Sequence, residues 1–199
     1  MKKYLLNIFA VLILITNVIN VNAQKANDKF DFIVAKDNSS PYHSIQEVLN
    51  LIPSGNSKLL RIFVKQGVYN EVITVDASKS NISLIGESKE NTIITYDDYF
   101  GKMNLGRNST FYTYTLLIEA ADFLVSNLTI QNTSGEVGQA VALSVFADRA
   151  VISNCNILGN QDTLYTSGEG WGSNIVNGAS GATWDETSAV LSQLYQGAD

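Results

Sequence analysis

The sequence predicts an all-β fold: a right-handed parallel β-helix (a solenoid) with a short N-terminal capping helix. Three observations carry that prediction. From Leu59 onward, short runs rich in Ile, Val, Leu and Thr follow one another, separated by Gly, Asn, Asp and Ser, with no helical pattern between them. Two of the runs repeat. "VSNLTIQN" (Val125 to Asn132) lies on "ISNCNILGN" (Ile152 to Asn160), with Ser126-Asn127 over Ser153-Asn154 at a spacing of 27 residues, and "NISLIGES" is a looser third copy. A repeat of this length built from short strands points to stacked coils whose inward apolar residues form one continuous core. Third, hairpin dipeptides are nearly absent. The one Asn-Gly, Asn177-Gly178, follows the strand region. That weighs against a β-sandwich, which also has short, regularly spaced strands but joins them through hairpin turns.

The elements can be justified in order. "FDFIVAKD" (Phe30 to Asp37) reads as a strand. "SIQEVLNLIP" reads as a helix from Ser44 to Ile52, with Ile45, Val48, Leu49 and Ile52 on one face, Ser44 and Glu47 spaced as a capping box, and Pro53 closing it. Such a helix would cover the first coil, whose open end would otherwise expose apolar side chains and strand edges. The strand runs follow: "LLRIFV", "EVITV", "NISLIG", "NTIITY", "TYTLLIEA", "FLVSNLTIQN", "AVALSVFA" and "RAVISNCNILGN". Recurrent Asn at their ends fits side-chain amides bonding to neighbouring coils. The tail "WDETSAVLSQLY" reads as a helix with Val190, Leu191 and Leu194 on one face.

Composition narrows the function. "MKKYLLNIFAVLILITNVINVNAQ" has the basic start, apolar run and small residue, Ala23, of a secretory signal peptide, so export is expected; the alternative is a membrane anchor, for which the run is short. Residues 1–23 are then signal peptide, and removing 23 of 199 residues leaves 176, enough for one domain with its own core. The net charge of −6 becomes −8 without Lys2 and Lys3. That surface argues against nucleic acid or an anionic membrane as partner. The single cysteine, Cys155, sits in an apolar run and is expected to be buried and inert; the single histidine, His43, falls at the start of the helix. One histidine excludes any site needing two.

Three local patterns bear chemistry: "GVYNE" (Gly67 to Glu71), "GQAVALSVFADRAVISNC" (Gly138 to Cys155) and "GNQDTLY" (Gly159 to Tyr165). In this order and spacing they resemble the pectin methylesterases, as do "FIVAKDNSSPYHSIQEVLNLIP", "NISLIGES", "NTIIT" and "FLVSNLTIQNTSG". The resemblance runs from about Phe30 to Gly170, and the family's fold is a right-handed parallel β-helix. It implies hydrolysis of the methyl esters of polygalacturonate to pectate and methanol, with pectin as partner, a monomeric enzyme, and no metal or organic cofactor. Ester hydrolysis needs a nucleophile, donors for the developing oxyanion and an acid for the leaving alcohol. By resemblance Asp162 matches the acid, Gln139 and Gln161 the oxyanion donors, and Thr110 of "STFYTYT" a position that contacts the sugar, as Gln139 also does. Arg149 and Glu71 read as structural.

After Gly170 the pattern departs. The family's nucleophile lies in a strand ending Asp-Phe-Ile-Phe-Gly, and its orienting arginine in Leu-Gly-Arg-Pro-Trp. Neither motif occurs in the 199 residues. The expected organisation is residues 24–170 as an incomplete pectinesterase-like domain and 171–199 as a divergent tail. Asp185, a little over twenty residues after Asp162, stands at about the nucleophile's distance; its flanks also suit a helix N-cap. Two readings stand beside the esterase: a non-catalytic β-helix that binds pectin, and a structural β-helix without substrate.

Overall fold

β-Branched side chains resist helix and suit a pleated strand, and a two-residue period lets each run send alternate side chains inward. In the computed structural model these runs form coils, each contributing one strand to each of three parallel sheets. The structure describes residues 30–166 and, beyond them, the strands Asn174–Val176 and Ala189–Val190. The chain divides into two compact units, Met1–Asp31 and Phe32–Asp199, and the fold described here lies in the second. The signal peptide expected at residues 1–23 lies outside the described residues.

Strand β1 is Phe32–Val34, followed by helix α1, Ile45–Leu51. Three strands make the next coil: β2 (Leu60–Val64), β3 (Gly67–Asn70) and β4 (Ile73–Val75). The following coil is β5 (Ile82–Gly86), β6 (Thr92–Tyr96) and β7 (Leu116–Ile118). Then come β8 (Phe123–Ser126), β9 (Thr129–Asn132) and β10 (Leu143–Val145), and finally β11 (Val151–Ser153), β12 (Asn156–Leu158) and β13 (Leu164–Thr166). The sheets run β1-β2-β5-β8-β11, β3-β6-β9-β12 and β4-β7-β10-β13, parallel throughout. This is the expected parallel β-helix.

The core is a set of stacked columns. Ile62, Leu84, Val125 and Ile152 pair in register on one sheet; Tyr69, Ile94, Ile130 and Ile157 on the second; Ile73, Leu116, Leu143 and Leu164 on the third. All are buried. The repeat read from the sequence is the physical register: Ser126 pairs with Ser153. "FLVSNLTIQN" and "RAVISNCNILGN" each read as one run, but each is split into two strands, because Asn127 (φ 58) and Asn154 (φ 52) adopt the left-handed conformation and turn the chain from one sheet to the next. Their amides ladder between coils. Asn154 Nδ2 donates to Asn127 Oδ1 (2.8 Å), and Asn127 Nδ2 donates to the Gly86 carbonyl (2.8 Å).

Helix α1 seals the first coil, with Ile45, Val48 and Leu49 buried. Half of its capping box forms: Ser44 Oγ accepts from Glu47 N (3.2 Å). A carboxylate from a different coil caps the same helix end. The Glu71 carboxylate accepts from Ser44 Oγ (2.5 Å), Ile45 N (3.0 Å) and Gln46 N (3.2 Å). At the opposite end Lys79 Nζ donates to the carbonyls of Leu49 and Ile52, both at 2.7 Å. Anion at the N-terminus and cation at the C-terminus both suit the helix dipole. Glu71 is thus structural, as its sequence context suggested. Glu71→Ala is expected to lower stability by about 2 kcal/mol, since it strips charge-assisted bonds from a helix start. Urea unfolding at neutral pH measures this, and Glu71→Gln should lose less.

Cys155 is buried, and burial pushes its thiol up. His43 Nδ1 lies 2.8 Å from the Ala35 carbonyl. Arg149 makes a two-pronged pair with Asp122 on the coil below (2.6 and 2.7 Å). The tail differs from its expected helix at the one place it is described. Ala189–Val190 is a strand, β15, antiparallel to β11, and Asn174–Val176, β14, is antiparallel to β13. Strand pairing there satisfies the backbone groups along the outer edge of the last coil, which a helix laid across it would leave unpaired. The rest of that stretch lies outside the described residues.

Candidate active site

The site is built where the connections between strands differ most in length from coil to coil. Between Ser126 and Ser153 the spacing is 27 residues, but between Leu143 and Leu164, which also pair, it is 21. Most of the difference is the long connection 133–142 between β9 and β10, against the short "GNQDT" between β12 and β13. A second long connection, 97–115, joins β6 to β7 and contains helix α2 (Phe100–Met103) and a 3-10 helix, Gly106–Tyr112. These connections carry Thr110, Gln139, Gln161 and Asp162.

Buried polar groups tie them together. Asn132, at the end of β9, sends Nδ2 to the carbonyls of Asp98 (2.8 Å), Thr113 (3.1 Å) and Val141 (3.2 Å). Thr113, wholly buried, donates through Oγ1 to the Thr110 carbonyl (2.8 Å) and accepts from Val141 N (3.0 Å). Phe100 N donates to the Gln139 carbonyl (2.8 Å). Gly138, at φ 109, gives the chain a turn into Gln139 that side-chain-bearing residues rarely adopt. Ala140 N donates to the Gln161 carbonyl (3.0 Å), which seats Gln161 on the coil next to Gln139.

Asp162 sits in the left-handed conformation (φ 59), which Asp tolerates better than most residues. An aspartate in a turn is usually solvated. This one is 4% exposed, and its Oδ2 has no hydrogen-bond partner among the described residues. Burial pushes its carboxyl above the ordinary value of 3.8; a hydrogen bond from the Gln139 side chain pulls it the other way and is outweighed. Thr110 is buried, and its hydroxyl donates to Gln139 Oε1 (2.6 Å). Nearby, Tyr165 meets Phe111 edge-on (centroids 5.3 Å) and Phe146 at a tilt (5.3 Å), a wall of aromatic rings three residues beyond Asp162.

Thr110, Gln139, Gln161 and Asp162 therefore come together on adjacent coils. Asp185 lies outside the described residues. Asn132, Thr113 and the aromatic wall carry no signal of their own in the sequence. The polar pair looked like ordinary strand-end residues, and the rings are brought together only by stacking of coils. Among the described residues no three His, Cys, Asp or Glu side chains are grouped as a metal site.

Comparison with known proteins agrees with this picture. The pectinesterase family model matches residues 31–171. A pectinesterase from Petunia integrifolia is 43% identical over 143 residues, which is 71% of this chain and 37% of that protein. Pectin methylesterase from carrot superposes with a TM-score of 0.63 at 34% identity, covering 68% of this chain and 41% of that one. A pectin methylesterase solved in complex with hexasaccharide VII gives 0.61 at 29% identity, covering 69% and 45%. The chain thus spans less than half the length of each of these relatives. With its coils, its "QAVAL" and "QDTLY" segments in neighbouring register, and a family match over most of its length, the chain belongs to the pectinesterase family.

Proposed function

We propose that this chain is secreted and carries the ester-hydrolysing site of a pectin methylesterase, cleaving methyl esters of polygalacturonate to pectate and methanol. The observation that supports it most is the buried Asp162 carboxyl, with an oxygen left without partner among the described residues, beside the Gln139 amide. A carboxyl held above its ordinary range keeps its proton longer as pH rises and can hand it to the departing methoxide oxygen. The amide nitrogens of Gln139 and Gln161 are the donors for the ester oxygen as negative charge builds on it. A carboxylate attacks the ester carbon, and methanol leaves with the Asp162 proton. Water then attacks the acyl-enzyme: its OH joins the acyl carbon, the bond from that carbon to the enzyme carboxylate breaks and frees the carboxylate, and the water's remaining proton returns to Asp162. In this chain Asp185 is the residue proposed for the attack. The aromatic wall faces the polymer, and no metal or cofactor takes part. The signal-like start, Lys2 to Ala23, supports export, and among the described residues no helix is long and apolar enough to cross a membrane.

One observation favours a second reading. At the distance from Asp162 where the family's nucleophile strand is expected, the residues read "GATWDET" and not Asp-Phe-Ile-Phe-Gly, which suits a module that binds pectin without cleaving it. Methanol release from methylated pectin, followed with the full chain, separates the two. The esterase reading expects slow but measurable release that falls to background in Asp185→Asn with the fold intact. Release unchanged in Asp185→Asn would take the nucleophile's role from Asp185. Retained pectin binding with no methanol from either protein would favour the binding module.

A further inference from the structure

A carboxamide has two faces of opposite character: an oxygen that accepts and a nitrogen that donates. An oxyanion donor works only if the nitrogen points into the site, and rotation by half a turn would present the oxygen instead. Gln139 alone has nothing in its own side chain to choose between these. The structure supplies the choice from another connection. Thr110 Oγ1 donates to Gln139 Oε1 at 2.6 Å, and Thr110 is only 7% exposed. Thr110 is itself fixed, since its carbonyl accepts from the buried Thr113 Oγ1 (2.8 Å), whose oxygen accepts from Val141 N, two residues after Gln139 (3.0 Å). The Gln139 backbone is pinned at its carbonyl by Phe100 N (2.8 Å). A hydroxyl can also accept, so Thr110 fixes one end of the amide and the Asp162 carboxyl, which takes a hydrogen bond from the Gln139 side chain, fixes the other: oxygen to Thr110, nitrogen to Asp162.

Resting on the esterase reading, we propose that Thr110 is a positioning residue: its hydroxyl holds Gln139 Oε1 and so turns the Gln139 amide nitrogen toward Asp162 and the ester oxygen. This is a different task from touching a sugar, and it moves different observables. A sugar contact acts on substrate affinity. An orienting bond acts on the step in which the oxyanion forms, and on the carboxyl that the amide faces.

The test compares Thr110→Val, which keeps the shape and removes the donor, with Thr110→Ser, which keeps the donor. It uses the full chain with carbon-13-labelled aspartate. In Thr110→Val the Asp162 carboxyl should titrate at higher pH than in the parent, because the amide that held it down is free to turn away; Thr110→Ser should match the parent. With methyl-esterified oligogalacturonate, Thr110→Val should lose about ten- to a hundredfold in kcat with KM within about twofold, a partial loss of one oxyanion donor. In a Gln139→Ala background Thr110→Val should add no further change. If Thr110→Val does not fold, Thr110→Ala removes the donor with less bulk. An unmoved Asp162 titration, or a raised KM at constant kcat, would overturn the proposal. The titration decides the positioning role even if the parent releases no methanol, an outcome that would sink the esterase reading alone.

Discussion

Replacing Asp162 by asparagine is expected to cut methanol release by at least about a hundredfold, the usual worth of a general acid. Asparagine keeps the size and tolerates the left-handed backbone at φ 59, so the fold is retained. It cannot deliver a proton to the leaving oxygen. The same substitution should make the protein more resistant to unfolding at neutral pH. The folded carboxyl is raised above its ordinary value of 3.8 by burial, so the folded state binds its proton more tightly than the unfolded chain does. Stability from this group is therefore full below 3.8 and is lost as pH rises through the raised value. Asparagine does not ionise and escapes that loss. Urea midpoints for the two proteins should converge in acid and separate toward pH 7. A variant that loses activity and stability together at all pH values would mean Asp162 is a structural turn residue.

The largest effect on stability is expected at Gly86. It occupies the coil position that Asn127 and Asn154 occupy above it, and a Cβ built there would lie 2.2 Å from the Asn127 carbonyl oxygen and 2.8 Å from Leu128 Cβ. Both belong to the backbone region of the next coil, which cannot swing aside as a flexible side chain could. Gly86→Ala should therefore force coils apart and cost about 3 kcal/mol or more, the upper end of overpacking. It would also strain the Asn127 amide bond to the Gly86 carbonyl. A drop in the urea midpoint with an unchanged slope is the expected result. Gly55, whose added Cβ would meet nothing within 4 Å, is the contrast, although its φ of 73 still carries a modest backbone cost in Gly55→Ala.

Much of the fold was legible because a solenoid writes its register into the chain. The echo of Ser126-Asn127 at Ser153-Asn154 is the pairing itself. Helix α1 was legible from its apolar stripe and Ser44. What stayed hidden depends on contacts between distant segments. "GVYN" became a strand because Tyr69 stacks under Ile94, and nothing local marks that. The connection 97–115 holds two short helices without an apolar period of their own, so their positions come from Asn132 and Thr113. The carboxylate that joins Ser44 in capping α1 is Glu71, 24 residues beyond the Glu47 that the sequence nominated. At the site, motif resemblance named Thr110, Gln139, Gln161 and Asp162. It could not show that Thr110 bonds to Gln139, or that Asp162 is buried rather than solvated. The change from 27- to 21-residue spacing that builds the site reads in the sequence only as a gap.

Gln139, Gln161 and Asp162 are proposed to surround a methyl ester of galacturonate. A crystal structure of the full chain with a methyl-esterified hexagalacturonate tests it most directly. One ester carbonyl oxygen is expected within about 3 Å of the amide nitrogens of Gln139 and Gln161, with the Asp162 carboxyl at the methoxy oxygen. An oligosaccharide bound on another face, or none bound while the fold stays intact, would contradict it.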